Sequence, residues 1–134
     1  MTNAKILQQT PVLFTRDLPK AASYWEEKVG YYTLGVWGEP PDFAIAAREF
    51  AHVMLSQAHA THEIGPHWRI KNKLWNAYFC IDDACAMYLD LKELGTLIDC
   101  DLGEQPHGVL KFGIQDLDEH DIGFGQDPAP AGQN

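Results

Sequence analysis

The feature that most constrains this chain is an order of elements that occurs twice. Asp17 opens a helical pattern, with Pro19 just inside its start, Leu18, Ala22, Trp25 and Val29 on one face, and Gly30 at its end. Asp82-Asp83 opens a second, with Ala84, Met87, Tyr88, Leu91 and Leu94 on the apolar face and Gly95 closing it. Asp17 to Gly30 and Asp82 to Gly95 are separated by the same thirteen residues. One strand pattern precedes each helix and three follow it, so the chain is a duplicated unit rather than a long array. Neither half can bury both faces of its sheet alone. The halves must pair, within one chain or between two.

Residues 8–15, with Val12, Leu13 and Phe14, form the first strand pattern. Pro11 cannot donate to a ladder, which confines that strand to an edge or to one-sided pairing. Strands over 31–37, 43–48 and 52–57 follow, the first two joined by the turn Gly38-Glu39-Pro40-Pro41-Asp42. Residues 58–73 carry no clear period and read as a loop holding His59, His62, His67 and Trp68; a loop of that length is functional or mobile. The second half has strands over 74–81 and 96–101, then a hairpin. Its first strand alternates Leu110, Phe112 and Ile114 with Lys111, Gly113 and Gln115, and Ile122 and Phe124 resume the alternation after the polar break 116–120. The expected fold class is α+β, one domain over 1–134. It comprises a first βαβββ module over 8–57, a connecting loop over 58–73, a second module over 74–126 and a flexible tail over 127–134. Trp25 is expected in the core, and His120 in a solvated turn.

A hydrophobic content of 46% with 11% aromatics excludes general disorder. No apolar run reaches the length of a membrane span, and residues 1–9 lack a signal peptide's apolar segment, so the expected location is the cytoplasm. Cys80, Cys85 and Cys100 show no C-x-x-C spacing and read as free thiols, chiefly as buried small hydrophobes. Nineteen acids against ten bases give a charge of −9. That repels nucleic acid and anionic membranes and either favours a cationic ligand or simply keeps the chain soluble.

Three segments and the hairpin carry a resemblance. Thr10-Pro11-Val12-Leu13 through Arg16-Asp17 is similar to a P-V-L-x-x-R-D opening. Trp37-Gly38-Glu39-Pro40-Pro41-Asp42-Phe43 is similar to a W-G-(D/E)-P-P loop, and Leu102-Gly103-Glu104-Gln105-Pro106-His107-Gly108 to I-G-E-Q-P-W-G. The hairpin resembles P-W-G-x-x-x-F-x-(I/V)-x-D-P-D-G-x-x-(I/L)-x-F. All belong to the glyoxalase/bleomycin-resistance/dioxygenase (vicinal oxygen chelate) superfamily. The departures are His107 for Trp, Leu117 for Pro and Glu119 for Gly, the last two in the hairpin's turn.

The resemblance implies tandem βαβββ modules whose curved, antiparallel-rich sheets form a cleft. Metal-dependent members place four ligands on cavity-facing strand positions, which fall here on Thr10, Met54, Asn76 and Gly123. None is a good ligand for a hard divalent ion, and His52, on Met54's face, is the best residual candidate. His59, His62 and His67 with Glu63 read as a surface group. No catalytic residue, metal or cofactor is therefore expected. Strand parity puts Thr10, Val12, Phe14, His52, Met54, Asn76, Tyr78, Cys80, Lys111 and Gly113 on the concave face, with Trp37, Phe43 and Trp68 able to close over it. The expected ligand-binding set is Phe14, Trp37, Phe43, His52, Met54, Asn76, Tyr78, His107 and Lys111; the same aromatics would also serve a core or a dimer interface. The function the resemblance implies is that of the metal-free bleomycin resistance proteins, sequestering a drug-like, possibly cationic aromatic molecule as a homodimer with exchanged N-terminal strands. The alternative is a metal-dependent glyoxalase-like lyase, thiol transferase or dioxygenase of the same fold. A third reading is an interaction module with a self-filled cavity.

Overall fold

The computed structural model describes residues 3–128. Two helices form where short-range capping dictates. In α1 (Leu18–Glu27) the Asp17 carboxylate accepts from the Lys20 N–H at 3.2 Å, and in α2 (Ala84–Leu94) Asp83 accepts from the Ala86 N–H at 3.0 Å. Gly95, at φ 86, closes α2, its N–H reaching the Leu91 and Lys92 carbonyls. Contrary to expectation Gly30 does not end α1. The cap is Lys28, and Gly30, at φ 80, turns the chain toward β2.

The strands are β1 (Val12–Thr15), β2 (Tyr32–Trp37), β3 (Phe43–Arg48), β4 (Ala51–Gln57), β5 (Ala77–Cys80), β6 (Leu97–Glu104), β7 (Leu110–Gln115) and β8 (Asp121–Gln126). They make two four-stranded sheets of like topology, β1-β4-β3-β2 and β5-β8-β7-β6. In each, the strand before the helix lies parallel to the module's last strand, and the other pairs are antiparallel. The α+β expectation of two βαβββ units therefore holds.

The edges differ from the sequence reading. β1 is four residues long, and residues 3–11 belong to no strand. Only the Pro11 carbonyl joins the ladder, accepting from the Met54 N–H at 2.9 Å. β5 starts at Ala77: the Leu74 N–H bonds the Lys71 carbonyl in a turn, and the Asn76 N–H makes the first bond to β8 at the Asp121 carbonyl. β6 runs on to Glu104 through two register shifts. Residues 58–73 are not without structure: His67–Arg69 is a 3₁₀ turn, strapped to the hairpin by the Trp68 indole N–H donating to the Glu119 carbonyl at 2.7 Å. Of the expected tail, 129–134 lies outside the described residues.

One hydrophobic core runs through both halves. Leu13, Trp25, Val53 and Leu55 of the first join Met87, Leu91, Phe112 and Phe124 of the second. Each such side chain contributes about 1.5–3 kcal/mol on leaving water. Phe79, Phe124 and Phe112 stack in series at 5.6 and 5.3 Å, and Tyr31 meets Phe79 across the seam at 6.2 Å. Polar ties cross it too: the Tyr24 hydroxyl donates to the Gln115 carbonyl at 2.8 Å, and the Thr96 hydroxyl to that of Lys28. The halves thus pair within one chain. Trp25 is fully buried, as expected, although its indole N–H finds no partner among the described residues.

Two expectations fail. His120 is buried at 3% exposure, its Nδ1 2.9 Å from the Asp116 carboxylate, because that pair satisfies both polar groups and lets the turn pack inward. The three cysteines are free but exposed. The rows described below carry Cys80 and Cys100 onto the face away from the core, and Cys85 lies on the outer side of α2.

Candidate functional site

Each sheet turns one face to the shared core and leaves the other open. On the first sheet, strand register aligns Phe14, Ser56, Phe43 and Trp37 in one open-face row and Val12, Met54, Ile45 and Gly35 in the next. The Trp37 ring lies over Gly35, where a Cβ would stand 2.5 Å from it; only glycine lets the indole lie flat there. Trp37 and Phe43 meet at 5.8 Å. Phe14 and Trp37 keep 55% and 50% of their surface exposed, so the row presents aromatic surface to the outside. His52 pairs with Ala47 and follows Met54's parity, so five expected site residues share this face: Phe14, Trp37, Phe43, His52 and Met54.

The second sheet is built in the opposite sense. Its open rows are Tyr78, Gly123, Gly113 and Cys100, then Cys80, Gly125, Lys111 and Gly103. The floor is mostly glycine, and aromatic rings lie upon it. A Cβ on Gly123 would come within 2.7 Å of the Tyr78 ring and 3.1 Å of Trp75, and one on Gly125 within 1.6 Å of the Tyr78 hydroxyl oxygen. The Lys111 ammonium sits 4.7 Å from the centre of the Trp75 ring, a cation–π contact. Burial first, then Cys80 and Asp127, raise the Tyr78 phenol above its ordinary value, so it remains a neutral hydroxyl.

The remaining expected residues serve differently. Asn76 anchors the connecting loop, its Oδ1 accepting from the His67 N–H at 3.0 Å. His107 is exposed in the 3₁₀ turn Pro106–Gly108 at φ 68, a left-handed conformation uncommon outside glycine. Trp68 is held by its strap to Glu119. The nine residues thus divide between two open faces and one turn, and three cavities of about 580, 620 and 370 Å³ elsewhere on the described residues are lined by none of them. Trp75 is the site residue that sequence reasoning missed. The expected strand over 74–81 included it, but alternation with Asn76, Tyr78 and Cys80 put it on the opposite face, whereas β5 begins only at Ala77 and parity does not reach Trp75; the signal that could have found it is the Gly123-x-Gly125 spacing, a floor hollowed for rings.

The four positions at which metal-dependent relatives hold their ion do not offer suitable donors here. Thr10 lies on the arm outside the sheet, Met54 offers a thioether, Gly123 has no side chain, and Asn76 has given its oxygen to a backbone N–H. Among the described residues no three His, Cys, Asp or Glu side chains gather as a metal site elsewhere. Nor is any helix among them long and apolar enough to cross a membrane.

Comparison with known proteins accords with this geometry. The sequence profile of the Glyoxalase/Bleomycin resistance protein/Dioxygenase superfamily matches residues 7–124. No curated protein sequence matches. Among solved structures, a glyoxalase-related enzyme from Clostridium phytofermentans superposes with a TM-score of 0.73 at 19% identity, over 96% of this chain and 100% of that one. An antibiotic binding protein from Streptomyces sp. CB03234 gives 0.72 at 21%, with the same coverages. A bleomycin-binding protein from bleomycin-producing Streptomyces verticillus, solved with copper(II)-bleomycin, gives 0.68 at 21%, over 93% and 98%. At these identities the likeness is one of fold.

Proposed function

The chain belongs to the Glyoxalase/Bleomycin resistance protein/Dioxygenase superfamily, and from that premise we propose that it is a metal-free small-molecule-binding protein. It captures a drug-like, flat, cationic aromatic compound by stoichiometric binding rather than turnover. The observation that carries the reading is the contrast of the two open faces: half-exposed Phe14 and Trp37 beside Phe43 and Met54 on one, a glycine floor under Tyr78 and Trp75 on the other. One face supplies a wall and the other a hollow, and none of the three cavities among the described residues is lined by both. Two copies, wall against hollow, complete a common cleft. The N-terminal arm suits an exchange in such a dimer, since Ile6 and Leu7 are each 94% exposed and no strand of their own sheet engages them. The charge of −9 favours a cation, and free exposed thiols fit the cytoplasm. The residues at the metal positions support capture over metal chemistry.

Capture is tested by thermal unfolding with a bleomycin-type drug. Binding stabilises by about 2.7 kcal/mol when free drug stands at a hundred times Kd. An unchanged midpoint at high excess rejects this ligand class. Sedimentation tests the dimer: the native chain should run as two copies and Phe14→Glu as one, whereas a native monomer at high concentration removes the shared cleft. A stoichiometric transition metal in protein prepared without chelator would replace capture by a metal-dependent lyase, thiol transferase or dioxygenase.

A further inference from the structure

A separate cavity of about 580 Å³ opens at the seam between the modules, bounded by the β3–β4 turn and the start of α2. None of the nine residues discussed above lines it, and it lies within the size range of small-molecule sites. Its floor is aromatic: Tyr31 and Phe79 in contact, with Phe124 stacked beyond. Its rim is acidic. Glu49, Asp82, Asp83 and Asp90 stand against the single cation Arg48, whose Nε is already 3.3 Å from the Glu49 carboxylate and whose Nη1 donates to the Val29 carbonyl. Asp83 also caps α2, which leaves Asp82 and Asp90 with no hydrogen-bond or ion-pair partner among the described residues.

A second, independent observation points to a ligand. Tyr31 is 98% buried (2% exposed), yet its hydroxyl makes no hydrogen bond among the described residues. Tyr31 lines the cavity beside Arg48 and Glu49 of its rim. Among the described residues only the Trp25 indole nitrogen is both fully enclosed and unpaired, so the Tyr31 hydroxyl keeps access to open space, where a ligand entering the cavity can meet it. Burial also raises the phenol, so it offers a neutral lone pair rather than a competing charge.

We propose that this seam cavity binds a small primary ammonium compound with an aromatic or alkyl body. The ammonium is held by Asp82, Asp90 and the Tyr31 hydroxyl oxygen, and the body lies on the partly exposed Phe79, which Tyr31 and Phe124 back from the core. An anion of the same shape is excluded by the rim. The proposal is independent of capture on the open faces, and either can fail alone.

The test titrates the full chain with 2-phenylethylammonium, with 3-phenylpropionate as the anionic control, following ¹H–¹⁵N chemical shifts. Saturable shifts at Tyr31, Asp82 and Asp90 are expected with the amine and none with the acid. Asp90→Asn should weaken the amine about tenfold, the value of a hydrogen bond to a charged group, and Tyr31→Phe about fivefold. Tyr31→Phe removes a hydroxyl that bonds nothing in the protein, so its unfolding midpoint should not fall. No saturable shift, equal binding of the acid, shifts confined to the open faces, or unchanged affinity in both variants would each overturn the proposal. So would contacts between Ile6 or Leu7 of a second copy and Tyr31, which would show the arm filling the cavity instead.

Discussion

The turn between β7 and β8 hangs on one carboxylate, and removing it offers the sharpest test of how the hairpin is held. Asp116 Oδ1 accepts from the Asp118 and His120 N–H groups, each at 2.9 Å, and Oδ2 meets His120 Nδ1 at 2.9 Å. Asp116→Ala orphans two backbone donors and a ring nitrogen. The backbone donors cost about 1 kcal/mol each and the charge-assisted ring contact about 1.5–3, for a loss of about 3–5 kcal/mol. Against a domain stability of about 5–15 kcal/mol this is a large fraction. Asp116→Asn keeps an oxygen for both backbone donors and turns its amide toward Nδ1, which can accept in the other tautomer. Its cost should be about 1 kcal/mol. Urea unfolding followed by tryptophan fluorescence measures both, with an unchanged slope confirming that native stability has moved. If alanine costs under about 1 kcal/mol, or asparagine as much as alanine, Asp116 does not organise the turn and the burial of His120 needs another cause.

Glu119 holds φ 67 where related hairpins carry glycine. Glu119→Gly should relieve about 1 kcal/mol of backbone cost and lose only about 0.2–1 from the half-exposed pair with Arg69, for a neutral to slightly positive change in urea midpoint; a loss beyond about 1 kcal/mol would mean that the pair, not the backbone, sets the turn. Gly125→Ala should swing the partly exposed Tyr78 off the sheet rather than unfold the chain, so nuclear Overhauser contacts from its ring to Gly123 should vanish while the midpoint moves little; retained contacts would contradict the close seating. Burial, aided by Asp99 and Asp116 against the opposing Gln115 hydrogen bond, raises the Asp121 carboxyl. Its contribution is therefore full below the ordinary carboxylate range and is lost as pH rises through the raised value. Asp121→Asn should remove that decline, making the variant gain on the native chain from acid to neutral pH, and parallel stability curves would refute the assignment.

What could be read in the sequence was what neighbouring residues decide. Both helices begin at the aspartates that cap them, and alternation in β4, β5 and β7 assigned the open-face residues correctly, because side-chain parity survives errors in strand length. Where distant segments decide, the reading failed. β1 is shorter than expected because its pairing with β4 begins only at Val12, and β5 because residues 71–74 close a turn ahead of it. The turn 116–120 looked solvated by composition, yet an aspartate and a histidine four residues apart satisfied each other and freed it to bury. Trp75 stayed hidden because its role depends on glycines nearly fifty residues away.

That dependence also separates the two modules, which share a topology and not a surface. Glycine within a strand weakens it by about 0.5–1 kcal/mol relative to alanine, and the second sheet's open rows carry Gly103, Gly113, Gly123 and Gly125. A face selected only for stability would carry β-branched side chains there, as the core face does with Ile114 and Ile122. The glycines instead lower the floor by a side chain's depth. Tyr78 and Trp75 fill the space, their rings 5.5 Å apart and tilted 42° to one another, with Lys111 over the indole face. The first sheet spends no such stability: its open rows are filled by Phe14, Phe43, Met54 and Ile45, and only Gly35 yields room, to Trp37. The duplicated unit thus keeps its core pattern twice while one open face is hollowed and the other crowded, so the two modules differ where packing within the chain imposes least.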